Sequence, residues 1–178
     1  MNVDIISPPR TIMEVFKMLP EGTLAELING QIYMSPAPTN RHQRILKALL
    51  KVVDDFVEKN ALGEVLISPV DIFFDDHQNA VQPDLVFISH ENTNQPLNDE
   101  PYRGVPDILV EILSPGNDKH DSITKKALYE KFGVKEYWIV DPTSKESLVY
   151  QLNGKEYKLV TKSIATLFSP MLNQSFTY

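Results

Sequence analysis

Cysteine is absent from the 178-residue chain, which excludes disulfides and thiolate metal sites. Any bound metal must use oxygen ligands or the four histidines, and an oxygen-ligand site points to Mg²⁺, Mn²⁺ or Ca²⁺ rather than structural zinc. Long apolar runs are missing too: no stretch approaches the roughly 20 residues of a membrane span. Asp4 and Pro8-Pro9 interrupt the N-terminus, so no signal-peptide pattern appears and a cytoplasmic location is expected. Positive charge is also scarce. Seventeen Lys and Arg against 24 Asp and Glu leave a net charge of −7. That argues against a strong non-specific nucleic-acid binder, but not against a nuclease with a local basic patch or metal-assisted binding. There is no internal repeat, no low-complexity tract and no second-domain boundary.

What is present suits an ordinary soluble protein: 42% hydrophobic and 23% charged residues, enough for one domain over 1–178 with a sizeable core. Thr11 and Glu14 have capping-box spacing and should start a helix, TIMEVFKML. LAELI and QIYMS flank Asn29-Gly30, the signature of a hairpin. Alternation puts Ala25 and Leu27 on one face and Glu26 with Ile28 on the other. From Arg41 to Asn60, Ile45, Leu49, Val52, Val53 and Phe56 recur at helical spacing, and Gly63 is read as the stop. EVLISPVDIFF reads as a long strand in which Pro69 demands an edge position, a bulge or a break. DDHQNAVQ reads as a polar turn, PDLVFIS as the next strand, and HENTNQPLNDEPYRG as a long loop. Asn153-Gly154 predicts a last hairpin. The tail from Ile164 is expected to be a short strand or irregular cover.

The chain is organised around Val105 to Asp141, which reads as strand, loop, helix, strand. The strand Ile108 to Leu113 is wholly apolar except for Glu111. A carboxylate there must be paired, hydrated or metal-bound, because burying an unpaired charge is very costly. Upstream, Asp84 opens the LVFIS strand. If the two strands are neighbours, Asp84 and Glu111 form an oxygen-ligand site for a hard divalent cation. At about 100° per residue, Lys125 lies between Leu128, Tyr129 and Phe132 on the inward face of a helix from Ser122 to Phe132, while Lys126 points away. A lysine beside two metal-binding acids could orient water or stabilise developing charge. Each residue also has a plainer reading. Asp84 could close a turn, and Lys125 could simply pair with Asp121 four residues earlier. Glu26, on an apolar face like Glu111, is a third candidate acid. Asp107 reads as a turn or edge residue, His42 as a cap or solvated side chain, and His77, His90 and His120 as loop residues without metal-ligand spacing. Ser35 and Ser114 lack a G-x-S-x-G context, and Gly116 and Gly133 form no phosphate loop. Tyr137 and Trp138 read as core.

Pro83-Asp84, PDILVEILSP, Asp121-x-x-x-Lys125-x-x-x-Tyr129 and GVKEYWIVDP together resemble the Uma-two family of restriction-endonuclease-like proteins, within the PD-(D/E)XK nuclease superfamily. LPEGTLAELINGQIYMSPAPTNRHQ resembles its N-terminal portion, so the similarity runs from about Thr11 to Tyr157. The resemblance implies an α/β (α+β) restriction-endonuclease-like core, a mixed central sheet flanked by helices. It also implies Mg²⁺- or Mn²⁺-dependent cleavage of DNA phosphodiester bonds. Asp84 matches the motif's first acid and Glu111 its second. The superfamily's usual lysine position holds Leu113 here, and the family pattern places the lysine at Lys125 instead. Glu26 and His42 match frequent family positions. A homodimer is expected by analogy with enzymes that cut two strands. The alternatives are a non-catalytic binding or assembly protein on the same fold, and hydrolysis of another phosphodiester.

Overall fold

A computed structural model describes residues 8–92, 101–114 and 120–178. The Thr11 hydroxyl accepts the Glu14 N–H and caps α1 (Ile12–Lys17). β1 (Ala25–Ile28) and β2 (Gln31–Met34) turn about Asn29 and Gly30, whose φ values of 49° and 78° are those an Asn-Gly hairpin requires. Thr39 caps α2 (Asn40–Lys59), which buries Ile45, Leu49, Val53 and Val57 along one face. The chain continues through β3 (Gly63–Ile67), β4 (Ile72–Phe73), β5 (Ala80–Val81), β6 (Leu85–Ser89), β7 (Tyr102–Arg103) and β8 (Ile108–Ile112). A π-helical turn, His120–Lys125, leads into α3 (Lys126–Phe132), and Gly133 ends that helix at φ 87°. β9 (Glu136–Val140), the hairpin β10 (Glu146–Asn153) and β11 (Glu156–Ile164), and a second hairpin β12 (Thr166–Ser169) and β13 (Gln174–Thr177) complete the chain.

The strands form a six-stranded mixed sheet in the order β11-β10-β9-β8-β6-β3, with β8 and β9 parallel and the other neighbours antiparallel. A second, five-stranded sheet has the order β2-β1-β5-β4-β7. The expected α+β class with a mixed central sheet and flanking helices is what forms. The strand read over EVLISPVDIFF divides at Ser68-Pro69, and β4 leaves β3 for the second sheet. The stretch read as a polar turn contributes β5, whose Ala80 pairs with both Leu27 and Phe73.

α2 covers one face of the large sheet, packing Ile45, Leu49 and Val53 with Leu85, Val110 and Trp138. α3 covers the other, where Leu128 and Tyr129 join Val86, Leu109 and Tyr137. β8 and β9 are therefore buried on both faces, as their unbroken apolar sequences demand. Gly63 does not stop α2, which ends at Lys59. It is the first residue of β3, where a Cβ would lie 2.1 Å from the Ile88 carbonyl oxygen. Asp107 is no edge residue either. It is 1% exposed, and its carboxylate accepts from the Ser89 N–H at 2.8 Å and Asn92 Nδ2 at 3.0 Å, with Lys135 Nζ at 2.6 Å. An acid directly before an apolar run looks like a strand start in sequence; only the fold brings the Ser89 and Asn92 donors to it. No helix among the described residues is long and apolar enough to cross a membrane.

Candidate functional site

Antiparallel pairing of β6 with β8, Leu85 opposite Val110, brings the start of one strand to the end of the other. Asp84 therefore stands beside Ile112, whose N–H donates to Asp84 Oδ2 at 2.7 Å. The first turn of α2 reaches over the same sheet end, and His42 Nε2 lies 3.1 Å from that oxygen. His42 is neither solvated nor a simple cap; it is 3% exposed and faces the acid. Within β8, strand alternation turns Val110 and Ile112 towards α2 and Glu111 towards α3.

Lys125 is buried opposite Glu111. Its Nζ lies 2.9 Å from Glu111 Oε1, 2.8 Å from Glu26 Oε1 and 3.7 Å from Asp121 Oδ1. The pairing with Asp121 four residues away is thus the longest of the three contacts. Glu26 arrives from β1 in the second sheet, where its Oε1 also accepts the Gln82 N–H at 2.9 Å. Glu111 Oε1 accepts the Tyr129 hydroxyl at 2.7 Å. His120 belongs to the π-helical turn and not to a loop, with Nε2 3.8 Å from Glu26 Oε2. All of Asp84, Glu111, Lys125, Glu26 and His42 line one small cavity of about 90 Å³, together with Asp121. Leu113, at the motif's usual lysine position, donates its N–H to the Val140 carbonyl at 2.9 Å and supplies no charge. Gly116 lies outside the described residues.

The charge in the cavity is unbalanced: the carboxyl groups of Asp84, Glu111, Glu26 and Asp121 share it with one lysine, which touches the last three. Burial pushes the Glu111 carboxyl well above the usual range; Lys125 pulls against it, and Asp121, Asp84 and Glu26 add to the rise. Burial likewise raises Asp121 to about 6, with Lys125 opposing and Glu26 and Asp84 adding. Glu26 is also pushed up by burial, but Lys125, His120 and the Gln82 N–H outweigh it and hold the group below its ordinary value. Burial disfavours the Lys125 ammonium, yet Glu111, Glu26 and Asp121 more than compensate and keep it firmly protonated.

Among the described residues no three Asp, Glu or His side chains come together as a ready-made ligand set; the Lys125 ammonium stands between Glu26 and Glu111 instead. The donor chemistry nevertheless fits a hard divalent cation. The available ligands are carboxylate oxygens in excess of the resident positive charge, from Asp84, Glu111 and Glu26. Reading the residues one at a time left three partners unseen: the Tyr129 hydroxyl, the Gln82 amide, and the approach of His42 to Asp84. Tyr129 alone had a local signal, since it lies four residues beyond Lys125 on the same helical face.

The family model described as "Uma2: Putative restriction endonuclease" matches residues 13–172. Among solved structures, the chain is similar to one titled a putative nuclease belonging to DUF820 from Anabaena variabilis ATCC 29413. The two share 22% identity over 93% of this chain and 92% of that one, with a TM-score of 0.72. No curated protein matches the sequence.

Proposed function

The chain belongs to the Uma2 family, and from that premise we propose that it is a Mg²⁺- or Mn²⁺-dependent endonuclease of the PD-(D/E)XK type that hydrolyses DNA phosphodiester bonds. One observation carries the reading: Asp84, Glu111 and Glu26, from three different strands or strand ends, converge with a buried lysine on a single cavity. Asp84 and Glu111 would hold the metal and Glu26 would complete the carboxylate set; a metal held there would supply polarisation of the phosphate and a lowered pKa for an attacking water. His42 and the Ile112 N–H fix Asp84 through Oδ2, which leaves Oδ1 for the cavity. The Tyr129 hydroxyl orients Glu111, and Lys125 supplies positive charge to the reacting phosphate or its water.

DNA as the substrate is supported by the charge order along α2. Arg41, Arg44, Lys47 and Lys51 are exposed, and no acid precedes Asp54 in that helix. The helix dipole favours the opposite order, with acids first. Arg41 also donates to Thr143 Oγ1, but the dipole gives no reason for Arg44, Lys47 and Lys51 in the N-terminal half and middle of α2, whereas contact with phosphates does. Cutting both strands calls for two such sites, which a homodimer supplies, and DNA in the cytoplasm is the expected target.

The test is cleavage of supercoiled and linear duplex DNA with Mg²⁺ or Mn²⁺, comparing wild type with Glu111→Gln. Metal-dependent cleavage that falls by about a thousandfold or more in the variant, on an intact fold, is expected. Unchanged cleavage in the variant refutes the assignment. No cleavage by either protein favours the non-catalytic reading, for which Leu113 in place of the motif lysine is the motivating feature.

A further inference from the structure

We infer that Lys125 is the resident counter-ion of the carboxylate site and must be displaced before a divalent metal can bind, so that ammonium and metal compete for one position. The inference rests on the carboxylate-site reading above. Lys125 Nζ lies 2.8 Å from Glu26 Oε1 and 2.9 Å from Glu111 Oε1. The two oxygens that would share a metal are thus already bridged, through a single charged nitrogen. A magnesium ion needs its oxygens at about 2.0–2.1 Å, closer than the ammonium holds them, and it cannot share that gap with a like charge.

The surroundings explain why a lysine stands there. Glu26 and Glu111 are 4% exposed, and the strands that carry them belong to different sheets. Two buried carboxylates facing each other across a junction of sheets repel strongly unless a cation separates them. Lysine suits this temporary role. Its charge is compact and its four-carbon stem is flexible, whereas an arginine fork would lock both acids in place. Asp121 offers the displaced ammonium a second anchor: at 3.7 Å it is the outermost of the three acids around Nζ, one turn back along the same chain segment. Lys125 thereby leaves Glu26 and Glu111 while remaining in the cavity, with its charge free for a substrate phosphate.

Competition for one position reverses the usual expectation for a residue of a metal site. Deleting Lys125 should strengthen metal binding while abolishing its contribution to cleavage. The experiment is Mn²⁺ titration by calorimetry at pH 8 on wild type, Lys125→Met and Glu111→Gln. It is paired with competitive acylation of the Lys125 amine in the wild type, read by mass spectrometry with and without Mn²⁺. Lys125→Met is expected to bind at least tenfold tighter than wild type, and Lys125 acylation is expected to rise severalfold with the metal. The acylation arm needs no variant to fold. Equal or weaker binding by Lys125→Met, or a Lys125 amine equally protected with and without Mn²⁺, overturns the competition and leaves the carboxylate site standing, provided Glu111→Gln loses binding. No binding by wild type and Lys125→Met, or full binding by Glu111→Gln, overturns the site reading itself and the inference with it.

Discussion

Asp121 should make the protein less stable as pH rises, and replacing it with asparagine should remove that penalty. Its carboxyl is raised from 3.8 to about 6 by burial and by Glu26 and Asp84, against the pull of Lys125. Between pH 4 and 6 the folded chain therefore holds a proton that the unfolded chain has released. Stability falls as pH rises through that window, and above it the full cost of ionising the buried acid is present. At about 1.36 kcal/mol per pH unit, the displacement amounts to about 3 kcal/mol. Glu111 and Glu26 share the same charge balance, so about 1–3 kcal/mol is the expected gain for Asp121→Asn at pH 8. Urea unfolding of both proteins at pH 4, 6 and 8, followed by Trp138 fluorescence, measures the gap. It should be near zero at pH 4 and open fully by pH 8. A variant equally destabilised at all three pH values refutes the reasoning, because Asp121 would then act as an ordinary hydrogen-bonded side chain.

Three further outcomes follow from the geometry. Tyr129→Phe removes the 2.7 Å donor to Glu111; losing a hydrogen bond to a charged group, about 1.5–3 kcal/mol, should slow single-turnover cleavage about 10- to 100-fold, and an unchanged rate denies Tyr129 its orienting part. Asp107→Ala strands the Ser89 N–H at the head of β8, removes the partner of Lys135 and leaves the Asn92 amide only the Val105 carbonyl, and should cost about 3 kcal/mol in urea unfolding at neutral pH. Burial opposes the Asp107 charge, but Lys135, Ser89 and Asn92 hold its carboxyl below its ordinary value. Its contribution is therefore complete at neutral pH and lost only as pH falls below about 4, through the folded value. Gly63→Ala drives a methyl group onto the Ile88 carbonyl and should destabilise by about 2 kcal/mol or more, measured the same way; a shift under about 0.5 kcal/mol means that β3 moves aside at little cost.

Much of this architecture was legible in the sequence where local chemistry decided it. Thr11 and Thr39 cap helices, Asn29-Gly30 and Asn153-Gly154 turn hairpins, and Gly133 stops α3. Glu111 was legible for a different reason: a lone acid between Val110 and Ile112 has no local excuse. Its neighbours in space were not, because Glu26 lies 85 positions earlier in a sheet whose separation from the first depends on where the chain goes after Pro69. Asp107 misled for the same reason, since its partners Ser89, at the end of β6, and Lys135, just before β9, are distant in sequence. The tail showed a strand pattern, but not that Glu136 is buried beneath it. That carboxylate accepts from Trp138 Nε1 and Ser169 Oγ, and so ties β9 to the last hairpin.

The inward facing of Lys125 was worked out for an ordinary helix, yet the segment before it is a π-helical turn. A π turn is, in register terms, an α-helix carrying one extra residue. Ile123, 65% exposed in the middle of it, is the residue the wider turn pushes outward. Deleting a single position there would let the segment relax to α-helix. With α3 held by Leu128 and Tyr129, everything upstream would then rotate by about 100° relative to it, taking Asp121 and His120 away from Glu26 and Lys125. Variation in length at this turn is therefore as consequential as substitution of the acids, and relatives differing there by one residue should be expected to build the anionic pocket from different positions.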